Sequence, residues 1–420
     1  NPEATAATSS SLSLSSSSKM VNLLDLAASA IASTVAASRP IRELSDNKTI
    51  RQKEDGSAVT NADFAAQGNI VRTLRQVPGN FRIVGEESQE EMERHMKPET
   101  NEEYEERQQV FQLAQQELRY RYSGNYDSND DPVPMPLSKE GQVYHQQRLA
   151  EAGAEAATSA SSSVEAEGGE DTSAAETPEY VVNASRVSVF VDPLDGTKAY
   201  AKGEYDTVTT LVAIILDNQP YFGVITKPFG YKAQTSILDT GCVSIYGGNL
   251  LRGVFVAGGK VCSAKSASSS SSSGENVDDG DQESWLPRAV ISQSRSEGIV
   301  LDFVNHLASV GVVHSEPIYV SGAGEKSLRL IVGTEDETLW FFPKAGTSRW
   351  DVAASDAILR AFGGRVTDKY GEDLDYSYYP DRAEQGGDAM ENTDGIIASN
   401  SATLHAECIR LFKEGNWHER

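Results

Sequence analysis

The chain reads as an α+β protein built from stacked layers of helices and sheets, on three features of the sequence. Apolar residues recur at helical spacing near its start. Two β-rich runs meet at a turn near its middle, which implies antiparallel sheet. Beyond residue 289 short β-rich pieces alternate with helical ones, which implies βα units.

Leu24, Ala27, Ile31 and Val35 mark a first helix, which Pro40 is expected to stop because proline has no N–H for the ladder. A second helix is expected over 62–75, with Phe64, Ile70, Val71 and Leu74 turned inward and Pro78-Gly79 ending it. Phe81 to Val84 reads as a buried strand delivering Glu86 to its end. From Gln89 to Tyr180 the composition shifts to Glu, Gln, Ser and Ala, with a surface helix over 102–120 and a proline-broken stretch over 131–137. Residues 152–178 are low in complexity and too polar to offset the entropy of ordering them. Next come the apolar run Val187 to Val191 and a hairpin, whose arms Val208 to Leu216 and Tyr221 to Lys227 are joined by Asp217-Asn218-Gln219-Pro220. After a serine-rich tract the order is strand 289–292, helix 298–310, strand 317–320, helix 326–332, strand 338–343 and helix 352–362, ended by Gly363-Gly364. The expected division is a disordered tail over 1–19, an α+β domain over 20–235 with an insert at about 89–180, and an α/β domain over 236–420 with an insert at about 265–283.

With 420 residues the chain has ample core, and no run approaches the roughly 18 apolar residues of a membrane span. A net charge of −25 argues against binding a nucleic acid polymer, and any phosphate ligand needs a local cation to screen the acid. Cys242, Cys262 and Cys408 are few, odd in number and widely spaced, which suits a reducing, cytoplasmic setting better than a disulfide framework. The Ser/Ala-rich start is a structureless tail or, alternatively, the remnant of an organellar import signal. None of the six histidines sits near a serine or cysteine nucleophile motif, so covalent catalysis has no support.

The most informative stretch is Val191-Asp192-Pro193-Leu194-Asp195-Gly196-Thr197. Two carboxylates flank a proline-stiffened turn at a strand's end, where hard cations find oxygen ligands. The Leu194 carbonyl can turn to the same ion, and Gly196 lets a phosphate approach the backbone. Partner carboxylates are expected from Gly85-Glu86-Glu87-Ser88 and Trp350-Asp351. Singly each acid has an ordinary reading: Asp351 as a helix cap, Asp195 as a turn former, Glu86 as a solvated strand end. Together, four converging carboxylates hold a pair of divalent ions, an arrangement suited to phosphoryl transfer.

Val59-Thr60-Asn61-Ala62-Asp63, Gly85 to Ser88, Asp192 to Thr197 and Trp350-Asp351-Val352-Ala353-Ala354, in that order, resemble the inositol monophosphatase superfamily of magnesium-dependent, lithium-sensitive phosphatases. Asp192 to Lys198, the stretch Lys53 to Gln67 and Gly322-Ala323-Gly324-Glu325-Lys326 are most similar to its 3'(2'),5'-bisphosphate nucleotidase branch. The resemblance implies a layered αβαβα sandwich and two or three Mg2+ ions. It assigns Glu86, Asp192 and the Leu194 carbonyl to a first ion and Asp192, Asp195 and Asp351 to a second. Asp63 and Thr197 are implied to activate the attacking water, although Asp63 also stands at capping-box spacing from Thr60. Ser57 replaces an acid that some relatives carry, which leaves a third ion open. Substrate contacts are implied for Gly196, Thr197, Ser294, Arg295, Gly322 and Lys326, with Arg295 standing where several relatives have histidine. Lys344 and Arg349 read as solvated charges.

The implied reaction removes the 3'-phosphate of adenosine 3',5'-bisphosphate, leaving AMP, with conversion of PAPS to APS as a secondary expectation. The rival within the superfamily is an inositol polyphosphate 1-phosphatase acting on inositol 1,4-bisphosphate, because Gly322-Ala323-Gly324 with Lys326-Ser327-Leu328 also resembles that branch. A third reading, from another class, is a catalytically silent phospho-ligand sensor. The only partner expected is a small bisphosphate, with no membrane.

Overall fold

A computed structural model describes residues 19–53, 56–123, 179–230, 242–251, 253–257, 286–332, 336–361, 363–378 and 390–419. Asn22 closes β1 (Met20–Asn22) and caps α1 (Leu23–Glu43), its side chain accepting from the N–H groups of Leu24 and Asp25. Pro40 does not stop this helix. The Ala36 carbonyl that a residue other than proline would satisfy from position 40 instead accepts from the Asn69 side chain at 3.2 Å, so the last turn survives. β2 (Ile50–Gln52) and β3 (Ala58–Thr60) pair as a short ribbon. Thr60 then opens α2 (Asn61–Leu74) with a capping box completed by Asp63.

β4 (Arg82–Gly85) leads into α3 (Gln89–His95) and α4 (Asn101–Tyr122), the latter with a capping box between Thr100 and Glu103. The helix expected over 102–120 is α4, and the start of the expected insert is helical as well, in α3; Val110, Ala114 and Leu118 give α4 a buried stripe. The proline-broken and low-complexity stretches, the serine tract and nearly all of the N-terminal tail lie outside the described residues.

β5 (Val181–Asn183) pairs with β1. β6 (Val187–Asp195) and the short α5 (Thr197–Lys202) precede β7 (Thr209–Leu216) and β8 (Gln219–Lys227). The hairpin loop is only Asp217-Asn218, both with positive φ (51° and 62°), the tight turn whose twist suits antiparallel strands. Gln219 and Pro220, expected in the loop, belong to the strand, Pro220 facing a register shift at Ile214/Ile215. β9 (Val243–Gly248) and β10 (Gly253–Ala257) complete a six-stranded sheet in the order β10-β9-β8-β7-β6-β4, antiparallel except for β4 beside β6. The boundary expected at residue 235 thus falls between two strands that pair with each other.

A five-stranded sheet follows from β11 (Arg288–Ser292), α6 (Ile299–Ser309), β12 (Ile318–Val320), α7 (Ala323–Val332), β13 (Glu337–Phe342), α8 (Arg349–Ala361), β14 (Arg365–Thr367), β15 (Ile396–Ser399) and α9 (Ala402–Glu414). Its order is β12-β11-β13-β15-β14. α7 begins three residues before its expected start at Lys326, because the N–H groups of Ala323 and Gly324 are taken up by Asp195.

α1 and α2 cover the outer face of the six-stranded sheet, α7 and α8 lie between the sheets, and α6 and α9 back the five-stranded one. These are the αβαβα layers expected. α8 comes so close to β8 that a Cβ on Gly223 would stand 2.2 Å from the Ala354 carbonyl oxygen. Gly223→Ala should therefore push α8 off the sheet and destabilise the fold by about 1–3 kcal/mol in a denaturant titration. An unchanged midpoint would contradict this contact.

Candidate functional site

β4 and β6 run parallel, and the Glu86 N–H donates to the Val191 carbonyl at 3.1 Å, so the acidic ends of the two strands lie side by side. β6 is bulged there: Asp192 pairs with Leu211 and Asp195 with Thr209, so three steps on β6 match two on β7. In a regular strand residues three apart face opposite sides of the sheet, and the extra residue cancels that alternation. Asp192 is buried, with Oδ1 accepting from the Leu194 N–H at 3.1 Å. Asp351 arrives on the first turn of α8, where its Oδ2 accepts from the Ser348 N–H at 2.7 Å. Asp192, Asp195 and Asp351 each bring one carboxylate oxygen to within 4.8 Å of the others.

Asp195 is the most firmly seated of the three. Its Oδ1 accepts from the Ala323 N–H at 3.0 Å, and its Oδ2 from the Gly324 N–H at 2.7 Å and from the Thr209 hydroxyl at 3.0 Å. The carboxylate thus takes up free N–H groups at the start of α7. Gly322 and Gly324 are glycine for this approach: Gly322 has φ +77°, and a Cβ on Gly324 would fall 2.1 Å from the Thr209 hydroxyl. The Leu194 carbonyl accepts from the Thr197 hydroxyl at 3.0 Å. That same hydroxyl lies 3.2 Å from Asp63 Oδ1, which joins the capping-box acid to the bend after β6. The capping role of Asp63 is kept alongside this contact, since its other oxygen accepts from the Thr60 N–H and hydroxyl.

Glu86 is not one of the three converging acids. The Lys53 ammonium bridges Glu86 and Glu87 at 2.8 and 2.7 Å, holding Glu86 at the margin of the cluster while its charge still acts on Asp192 and Asp351. Burial pushes the Asp192 carboxyl well above its ordinary range, and Glu86, Asp195 and Asp351 push it further. Burial raises Asp351 to about 7, with Asp195 and Glu86 adding and the Ser348 N–H opposing. Asp63 is raised to about 7 by burial, against the hydrogen bonds from Thr60. Crowded oxygen ligands whose negative charge is this costly fit a hard divalent cation.

A cationic rail lies alongside. Trp340 and Phe342 share one face of β13; Lys326 lies over the Trp340 ring at 5.2 Å, and Arg295 and Lys344 over Phe342 at 4.8 and 5.6 Å. Among the described residues none of the three makes an ion pair. Burial lowers the Lys326 ammonium to about 8, with Asp195 opposing and Arg295 reinforcing the shift. Ser294 stands exposed next to Arg295, and Gly196 has positive φ at the bend before Thr197. Lys344 is not simply solvated, since it is half-buried on the ring, and Arg349 is buried and donates to the Asp375 carbonyl. Lys53, Thr209 and Lys344 were not identified as site residues from sequence. Their contacts are set by tertiary approach, and no local spacing announces them.

The inositol monophosphatase family profile matches residues 102–416, a span containing Asp192, Asp195 and Asp351 but not Asp63 or Glu86. Inositol monophosphatase 3 of Danio rerio is 31% identical over 200 residues, which is 47% of this chain and 48% of that protein. 3'(2'),5'-bisphosphate nucleotidase 1 of Dictyostelium discoideum is 28% identical over 234 residues, 54% of this chain and 63% of that protein. The chain thus spans about half the length of the first relative and under two thirds of the second. Among solved structures, the extragenic suppressor protein suhB from Bartonella henselae superposes with a TM-score of 0.48 at 14% identity, over 93% of this chain and 99% of that one. No helix among the described residues is long and apolar enough to cross a membrane.

The raised carboxyls set a pH dependence. Groups whose folded pKa lies above the unfolded one stabilise at low pH, and that contribution is lost as pH rises through the folded value, about 7 for Asp63 and Asp351. Chelated protein should therefore lose thermal stability between about pH 5 and about pH 8, and the gain from added Mg2+ should grow over the same window. Melting curves with chelator and with Mg2+ across that range test this. An Mg2+ effect that shrinks as pH rises would contradict it.

Proposed function

Because the chain belongs to the inositol monophosphatase family, we propose that it is a magnesium-dependent phosphomonoesterase that removes the 3'-phosphate of adenosine 3',5'-bisphosphate, and of PAPS, by attack of water. The observation that carries this reading is the juxtaposition of three converging carboxylate oxygens with a rail of three cations that make no ion pair among the described residues. The relative named as a bisphosphate nucleotidase supports the substrate class.

In this reading Asp192, Asp195, Asp351 and Glu86, with the Leu194 carbonyl, hold the ions. Bound Mg2+ in such a cluster polarises phosphoryl oxygens and lowers the pKa of a water. Thr197 and Asp63 orient the attacking water, and Asp63, raised to about 7, accepts its proton near neutral pH. Water oxygen bonds to phosphorus as the bond from phosphorus to the 3'-oxygen breaks, and the departing alkoxide is protonated by solvent. Lys326, Arg295 and Lys344 receive the part of the substrate that is not hydrolysed, and its remaining phosphate accounts for cations beside an acidic site.

Phosphate release should be seen from adenosine 3',5'-bisphosphate with Mg2+, be abolished by chelation, and be weaker from inositol 1,4-bisphosphate. Faster release from the inositol compound would move the assignment to the inositol polyphosphate 1-phosphatase branch. Binding without any turnover would indicate a sensor. Asp192→Asn should cost roughly 100-fold or more in turnover while the protein stays folded. Arg295→Ala should lower kcat/KM for the bisphosphate by roughly 10- to 100-fold and that for a monophosphate far less. Equal losses on both substrates would remove Arg295 from recognition of the second phosphate.

A further inference from the structure

Beneath the Asp195 seat lies a buried charge network. The Lys227 ammonium, at the end of β8, contacts Glu325 Oε2 at 2.7 Å and donates to the Asp206 carbonyl, and the Lys227 and Glu325 side chains are only 3% and 5% exposed. Arg329 extends the network one turn along α7, reaching Glu325 at 3.3 Å and Glu337 of β13 at 3.2 Å. Two of the elements tied by Lys227 bear directly on Asp195. Glu325 follows Gly324, whose N–H holds the Asp195 carboxylate, and precedes Lys326. Asp206 precedes Thr207, whose carbonyl oxygen lies 3.0 Å from where a Cβ on Gly322 would stand.

We propose that Lys227 is a positioning residue: by clamping Glu325 and the Asp206 carbonyl it fixes the first turn of α7, and through that turn the orientation of the Asp195 carboxylate and of Lys326. Fold stability alone gives little reason for such a pair, since taking two charges out of water costs about as much as their attraction returns. Its geometry is what distinguishes it. Among the described residues its bonds run to the Asp206 carbonyl and to Glu325, which lies on the segment that supplies two N–H donors to one of the converging acids. Groups that orient a metal-binding carboxylate typically change affinity by roughly 10- to 100-fold when removed.

The inference rests on reading Asp195 as an ion ligand, and the test separates the two. Mg2+ and Mn2+ are titrated calorimetrically into the full chain, into Lys227→Met and into the double variant Lys227→Met/Glu325→Gln, with melting curves and steady-state kinetics on each. The single variant leaves the buried Glu325 carboxylate with Arg329 as its remaining cation and should melt early; the double variant removes that charge and should recover most of the melting temperature. Both should bind the ion roughly 10- to 100-fold more weakly and lose kcat, while Lys227→Arg restores affinity. Should the single variant fail to fold, the double variant decides the matter. Ion affinity in the folded double variant equal to that of the unaltered chain overturns the positioning role alone. No ion binding by the unaltered chain overturns the metal reading and the positioning role with it.

Discussion

Like charge forced together under cover is the constraint around which this molecule is arranged. Three carboxylates meet within a few ångströms and a fourth stands at their margin, in surroundings where burial and neighbouring charge disfavour the ionisation of Asp192 and Asp351. Nothing about a strand, a helix or a hairpin asks for that. Each acid is held by a backbone device that serves the local structure as well: the bulge in β6 for Asp192, the opening of α7 for Asp195, the first turn of α8 for Asp351. The site is therefore not added to a finished scaffold, because the ends of the scaffold's own elements form it.

The surrounding charges divide the work. Lys53 bridges Glu86 and Glu87 at one margin, whereas the rail over Trp340 and Phe342 makes no ion pair among the described residues at another. In a chain of net charge −25, cations gathered beside an acidic cluster are a local inversion of the overall field. The deeper Lys227–Glu325 pair differs again, since both of its charges are buried and paired.

Much of this was legible in the sequence because it is local. The capping box of Thr60 and Asp63, the acidic bend after β6 and the β-rich arms of the hairpin are each written within a few consecutive residues. The acids that converge could be named for the same reason, each lying at the end of an apolar run or the start of a helix. What could not be read depends on approach in space. Pro40 reads as a helix terminator until Asn69, 29 positions away along the chain and on another helix, supplies the missing donor. α7 starts early because of a carboxylate far back in sequence, and Lys53 finds Glu86 only after the sheet has formed. The polar stretch over 102–120 reads as a surface helix within an insert, although three buried side chains on one stripe of α4 suffice to dock it.

The bulge has a hereditary consequence. A strand that counts three residues against its neighbour's two has no slack at that point. One codon gained or lost between Asp192 and Asp195 would turn one acid toward the opposite layer, with every pairing partner upstream left intact. Such a change would also take Asp195 from the N–H groups that open α7. Descendants of this chain can therefore lengthen its loops freely while the distance between these two aspartates stays frozen.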